Sequence, residues 1–282
     1  MGTEKRERQK QGRQARIEAA RVAQQRAQRF RTMRNFGIVI VVIVGGLFAL
    51  TWFTGKNNSS NVSASGDSES TGLTSTTVLA SAAPITVPPP GATMTGDTPC
   101  PAADGSAPRT TMFAKEAPTC IAAGKTYTAK LDTSKGSFTM KLDAVAAPKS
   151  VNNFVVLARY HFYDGVAFHR IIPGFVVQGG DATGPKPGAG GPGYQISDEL
   201  PTVGPPYYPL QSVAMANSGP NTNGSQFFIV TGPQGVALPA SYSLFATVTE
   251  GFDVVKQIEA IGSSGGTPSE AVTITGVTVS EG

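Results

Sequence analysis

A chain of 282 residues and 29.2 kDa has room for one large domain or two small ones, and with 40% hydrophobic and 15% charged residues it can bury a core. Gly and Pro make up about a fifth, which excludes collagen and wholesale disorder; two cysteines and two histidines exclude a zinc-ribbon array and a disulfide-dense mini-scaffold. The net charge of +4 averages unlike parts: residues 1–35 hold eleven Lys/Arg against three Glu, net +8, so the rest is faintly acidic at −4 and is not expected to bind nucleic acid.

In chain order, the tail 1–35 is rich in Gln, Ala and Arg and is expected to be helical but without an apolar stripe, a topogenic segment lying loosely at a surface. Residues 36–55 then read FGIVIVVIVGGLFALTWFTG without one charge. Twenty helical residues rise about 30 Å, the thickness of a hydrocarbon core. A cleaved signal peptide would need a shorter start and a shorter apolar run. The segment is therefore expected to be a single transmembrane anchor. The basic flank places the N-terminus in the cytoplasm and the remainder outside the cell membrane.

Residues 56–99 are dense in Ser and Thr, contain Pro88-Pro89-Pro90, and lack any aromatic residue. Such a stretch buries too little to offset its ordering entropy and is expected to be a disordered spacer. Cys100 and Cys120 bracket the next segment on the side of the membrane where disulfides persist. A metal would need more ligands and a catalytic thiol would need a base, so a structural disulfide closing an extension over 100–124 is expected.

Folded sequence is expected from about Lys125, as a domain over 125–282. Tyr127–Asp132 and Ser137–Asp143 alternate in polarity around Thr133-Ser134-Lys135-Gly136, a hairpin pattern. Ala147–Tyr160 has helical spacing, with Pro148 tolerable in the first turn. Short apolar runs follow at Ala167–Ile172, Phe175–Gln178, Val213–Ala216, Phe227–Val230 and Leu244–Val248. A second helix is expected over Phe252–Ile261 and a closing strand over Ala271–Val279. Many short strands with two helices predict a mainly β fold, a closed antiparallel barrel capped by the helices.

Pattern alone stops there, but two long motifs go further. Phe168-His169-Arg170-Ile171-Ile172-Pro173-Gly174-Phe175-Val176-Val177-Gln178-Gly179-Gly180-Asp181 resembles the signature of the cyclophilin-type peptidyl-prolyl cis/trans isomerases. Met215-Ala216-Asn217-Ser218-Gly219-Pro220-Asn221-Thr222-Asn223-Gly224-Ser225-Gln226-Phe227-Phe228-Ile229 is similar to the family's second hallmark. Gly190-Gly191-Pro192-Gly193-Tyr194 and Asp198-Glu199 resemble its Gly-rich loop and acidic pair. The resemblance spans about residues 125–280 and implies an eight-stranded barrel with a helix at each end.

It also implies a site on the barrel's outer face. Arg170 would donate to the twisting prolyl amide, with Gln178 in support. Phe175, Val176, Phe228, Leu238 and Tyr242 would hold the proline ring. Asn217 would pair with substrate backbone, Ala216 and Ser218 would line the groove, and Gln226 would border it. The implied partners are proline-containing polypeptides, among them exported proteins that need folding; a proline-binding holdase with little turnover is the alternative. Cyclosporin binding is expected to be weak at most, because Ala237 and Tyr242 stand where the drug-binding relative has Trp and His. No cofactor or metal is expected. Gly124-Lys125-Thr126 lacks the rest of a phosphate loop, and His161 and His169 lack a third ligand. Neither motif includes the 100–124 segment, so reducing its disulfide is expected to leave the barrel alone.

Overall fold

The computed structural model describes residues 88–184 and 188–282. The expected basic tail, the anchor at 36–55 and the spacer up to residue 87 lie outside the described residues. No helix among the described residues is long and apolar enough to cross a membrane.

Strict alternation builds the first hairpin. Tyr127, Ala129 and Leu131 of β3 (Tyr127–Thr133) point inward, as do Phe138, Met140 and Leu142 of β4 (Gly136–Leu142). The chain then forms α1 (Pro148–Arg159), whose Pro148 occupies the first turn, where its missing N–H is harmless. Ala147 cannot cap this helix with its side chain. Instead Glu199 accepts hydrogen bonds from the Lys149 and Ser150 N–H groups at 2.9 and 2.8 Å. One half of the acidic pair is thus a cap supplied from a distant loop, negative charge at the positive helix end. Asp198 likewise organises the second motif, accepting from Asn221 N–H and Asn223 Nδ2.

The remaining elements are β5 (Val166–Ala167), β6 (Arg170–Ile172), β7 (Val176–Gly179), β8 (Ser212–Met215), β9 (Phe227–Val230), the short α2 (Pro233–Val236), β10 (Leu244–Glu250), α3 (Phe252–Ala260) and β11 (Thr273–Glu281). The antiparallel sheet runs β5-β11-β3-β4-β10-β8-β9-β7-β6. It has nine strands, not eight, and no ladder joins its edge strands. The architecture is therefore a curled half-barrel rather than the expected closed barrel. The cause lies in Ala167–Ile172, expected to be one strand. Phe168 and Ile171 both enter the core, three residues apart, which a continuous strand with period two cannot achieve. The backbone turns at Phe168-His169 and leaves one short strand on each edge. The short α2 adds a third helix to the two expected. Inside, Phe154 of α1 gathers Tyr163, Phe245 and Phe227 with ring centroids 5.0, 5.5 and 5.8 Å away.

The segment before Lys125 is more than a tether. Ala92–Met94 (β1), expected to be spacer, pairs in parallel with Thr110–Phe113 (β2). Phe113 is 3% exposed and lies 5.4 and 6.3 Å from the rings of Tyr160 and Tyr194. The Cys100–Cys120 disulfide forms as expected. Asn152 of α1 clasps the segment beside it, accepting from Cys120 N–H and donating to the Pro118 carbonyl.

A second clasp is ionisable. His161 Nδ1 lies 2.9 Å from Asp164 Oδ2 and Nε2 lies 2.7 Å from the Gly105 carbonyl. Two acceptors call for two ring protons, so the imidazolium fits best. The Gly105 carbonyl, helped by Asp164, raises the His161 pKa above its ordinary value against the opposing effects of burial and Arg109. A raised pKa contributes stability fully below about pH 6.5 and loses it as pH rises through the folded-state value. The extension should therefore resist limited proteolysis better at pH 5.5 than at pH 8.5. His161→Gln should flatten that difference; an unchanged profile in the variant would remove His161 as the cause.

Candidate active site

The alternation that sends Ile171, Val177, Ile229 and Val213 into the core turns their neighbours outward. In register, Arg170 of β6 pairs with Gln178 of β7, Gln178 with Phe228 of β9, and Phe228 with Ala214 of β8. Directly paired residues share a face, so one row across four strands carries a cation, an amide and an aromatic ring. Val176 lies on the same face, where a second apolar cluster forms around Val176, Ala214, Phe228, Val230 and Tyr208.

A cavity of about 180 Å³ opens on this face. Its walls are Arg170, Phe175, Val176, Gln178, Ala216, Asn217, Phe228, Leu238 and Tyr242. These are nine of the eleven groove residues expected from sequence. The other two, Ser218 and Gln226, line an adjoining larger cavity of about 860 Å³, which shares Gln178, Ala216 and Asn217 with the first. Asn217's side chain is engaged locally, donating to the Ser241 carbonyl and accepting from Gly219 N–H.

Arg170 Nη1 donates to Gln178 Oε1 at 3.3 Å, and Gln178 Nε2 donates to Gln226 Oε1 at 3.1 Å. Gln226 Nε2 in turn donates to the carbonyls of Gly188 and Gly190. The guanidinium carbon stands 5.4 Å from the centroid of the Phe175 ring, in cation–π range. Among the described residues no carboxylate pairs with Arg170. Its remaining N–H groups are available to a ligand beside an apolar wall. His169 next to it is no competing cation: burial lowers its pKa, favouring the neutral ring. No metal-type cluster of His, Cys, Asp or Glu occurs among the described residues.

Three supports escaped sequence reasoning. The β6–β7 turn, which spaces Arg170 from Phe175, is held by Glu259 of α3, whose Oε1 accepts the Gly174 N–H at 2.7 Å. Burial alone would raise this carboxyl's pKa, but the Lys256 ammonium and the Gly174 N–H hold it below the usual value. Helix α2, four residues long, carries the chain to Leu238 and packs tightly enough that a Cβ on Gly232 would fall 2.3 Å from the Gly174 carbonyl carbon. Tyr208 is fully buried; its hydroxyl donates to the Tyr242 carbonyl and accepts the Tyr242 N–H, fixing a ring that meets Phe228 edge-on at 5.2 Å. Of the three, only Tyr208 had a visible cue, the aromatic pair within PPYYP.

A family model described as cyclophilin type peptidyl-prolyl cis-trans isomerase matches residues 128–279, more than half of the chain. The chain belongs to the cyclophilins. It is 44% identical over 131 residues to the peptidyl-prolyl cis-trans isomerase-like 1 of Rhizopus delemar, covering 45% of this chain and 77% of that one. It is 41% identical over 175 residues to the probable peptidyl-prolyl cis-trans isomerase A of Mycobacterium leprae, covering 54% and 92%. Among solved structures it is similar to a Cryptosporidium parvum cyclophilin-type isomerase crystallised in the presence of the dipeptide Ala-Pro, with a TM-score of 0.50, 29% identity and coverage of 54% and 98%. This cyclophilin is thus an enzyme, a peptidyl-prolyl cis-trans isomerase acting on proline-containing peptides. Ala237 is exposed at the end of α2 and adds no ring to the pocket.

Proposed function

We propose that this cyclophilin isomerises X-Pro bonds by non-covalent catalysis centred on Arg170, and that it does so outside the cell membrane on exported proteins. Twisting an X-Pro amide meets a barrier near 20 kcal/mol because resonance is lost. In the twisted state the prolyl nitrogen becomes pyramidal and accepts a hydrogen bond. A guanidinium already held in place favours that state over the planar ground state. Shortening tens of seconds to milliseconds takes roughly four decades, about 5–6 kcal/mol. One charged donor contributes about 3 kcal/mol of this, and seating the ring among Phe175, Phe228, Leu238 and Tyr242 contributes through orientation.

The observation that carries this reading is a guanidinium with no carboxylate partner among the described residues, set at the mouth of an apolar cavity and steadied by Gln178. The Ala-Pro dipeptide used with the C. parvum relative agrees with an X-Pro ligand. Exchange spectroscopy on a proline peptide tests it: resonances of the two isomers should exchange in tens of milliseconds or faster with the enzyme, and an unaltered slow rate would refute it.

The cellular setting rests on three features together: the uncharged run 36–55, the +8 flank before it, and a disulfide suited to an oxidising compartment. Protease added to intact cells should release the folded domain by cutting between residues 56 and 87 while the basic tail stays protected. A digested tail with a protected domain would reverse the topology.

A further inference from the structure

The larger cavity has one wall that does not come from residues 128–279, the stretch matched by the family. In β2 the alternation that buries Phe113 turns Met112 outward, where it is 38% exposed. The strand is drawn against the Gly-rich loop by a hydrogen bond from Phe113 N–H to the Pro192 carbonyl at 2.8 Å. Gly193 permits the approach. Its φ is +100°, and a Cβ there would fall 2.4 Å from the Phe113 carbonyl oxygen. The Met112 methyl consequently lies over Gly193, 3.5 Å from where that Cβ would stand, at the edge of the larger cavity.

The two cavities share Gln178, Ala216 and Asn217, so a peptide with its proline in the smaller one extends a neighbouring residue into the larger. Most of that larger cavity is glycine, amide or hydroxyl. Met112 is the one long aliphatic side chain among its described walls. An unbranched thioether adapts to varied apolar shapes and gains little from facing water.

We propose that Met112 is a substrate-specificity residue, delivered by the β1–β2 extension, that selects proline peptides carrying an apolar side chain near the X-Pro bond. The inference rests on the reading that the smaller cavity receives the substrate proline. Its test uses the full chain and peptides with leucine, alanine or glutamate at each of the two positions before X and the two after proline. At one position the wild type should favour leucine over alanine in kcat/KM by about fivefold, the scale of apolar contacts at a half-open site. Met112→Ala should bring that ratio close to unity, and Met112→Lys should turn the preference toward glutamate. Identical ratios in wild type and both variants at all four positions would overturn the proposal.

A second measurement needs no variant and no turnover. With methionine methyls labelled with carbon-13, the Met112 resonance should shift on titration with the preferred leucine peptide and shift less with its alanine counterpart. A bound peptide that leaves the Met112 methyl unmoved would also overturn the proposal. A shifted methyl without isomer exchange would instead count against the catalytic reading of Arg170 and leave Met112 as a selector of bound peptides.

Discussion

Arg170→Ala is expected to slow catalysed isomer exchange by about 10²–10³, the scale for losing a preorganised donor that acts in the transition state. Folding should be nearly untouched, since the guanidinium pairs with no carboxylate among the described residues and makes one long hydrogen bond to Gln178. Peptide binding should weaken only modestly, because Phe175, Phe228, Leu238 and Tyr242 still enclose the ring. Arg170→Lys should also be impaired, as a point charge lacks the planar fork that reaches nitrogen and carbonyl together while retaining Gln178. The measurement is exchange on one proline peptide at matched saturation. Rates for wild type and Arg170→Ala within a factor of two would dismiss Arg170 and favour a proline-binding holdase.

The largest stability effect is expected outside the family's stretch of sequence. Phe113→Ala should cost about 3–5 kcal/mol in urea unfolding, since its ring packs edge-on against Tyr160 and Tyr194 and leaves a void they cannot fill unaided. Met112→Ala, one residue away and facing outward, should stay within about 0.5 kcal/mol of wild type. If Phe113→Ala costs less than about 1 kcal/mol, the extension merely rests on the half-barrel. The expectation that reducing the disulfide spares the rest of the molecule also changes, because Phe113 N–H bonds to Pro192 and the Gly-rich loop bonds to Gln226.

What could be read beforehand followed from local periodicity. The hairpin of β3 and β4 was visible within a residue at each end, because alternation and a turn with glycine in it are local properties. Helix α1 was visible through its apolar spacing, and seven of the nine cavity residues through the two motifs, with Leu238 and Tyr242 following from the wider resemblance. The ninth strand was hidden because hydropathy cannot distinguish one six-residue strand from two broken by Phe168-His169. The packing of the extension was hidden because Ala, Pro and Thr dominate it and its main anchor is a lone Phe113, which has meaning only once Tyr160 and Tyr194 are brought beside it. Tyr208 and Glu259 act across 34 and 85 residues of sequence, and no periodicity spans such distances.

The sheet order has a consequence for how the chain reaches this shape. β11, the last strand in chain order, lies between β3 and β5, pairing with β3 from Thr133 to Tyr127. Until Thr273–Glu281 has emerged, β3 presents a free edge and the strand leading toward Arg170 has no partner. Assembly must therefore wait for a contact spanning some 150 residues, a costly loop to close and a slow step. A chain emerging with its amino end first keeps this sheet open until β11 follows, with the hydrophobic halves of its hairpins uncovered. If it crosses a membrane, this delay keeps it threadable, and the catalyst of other proteins' slow turns is itself obliged to fold late.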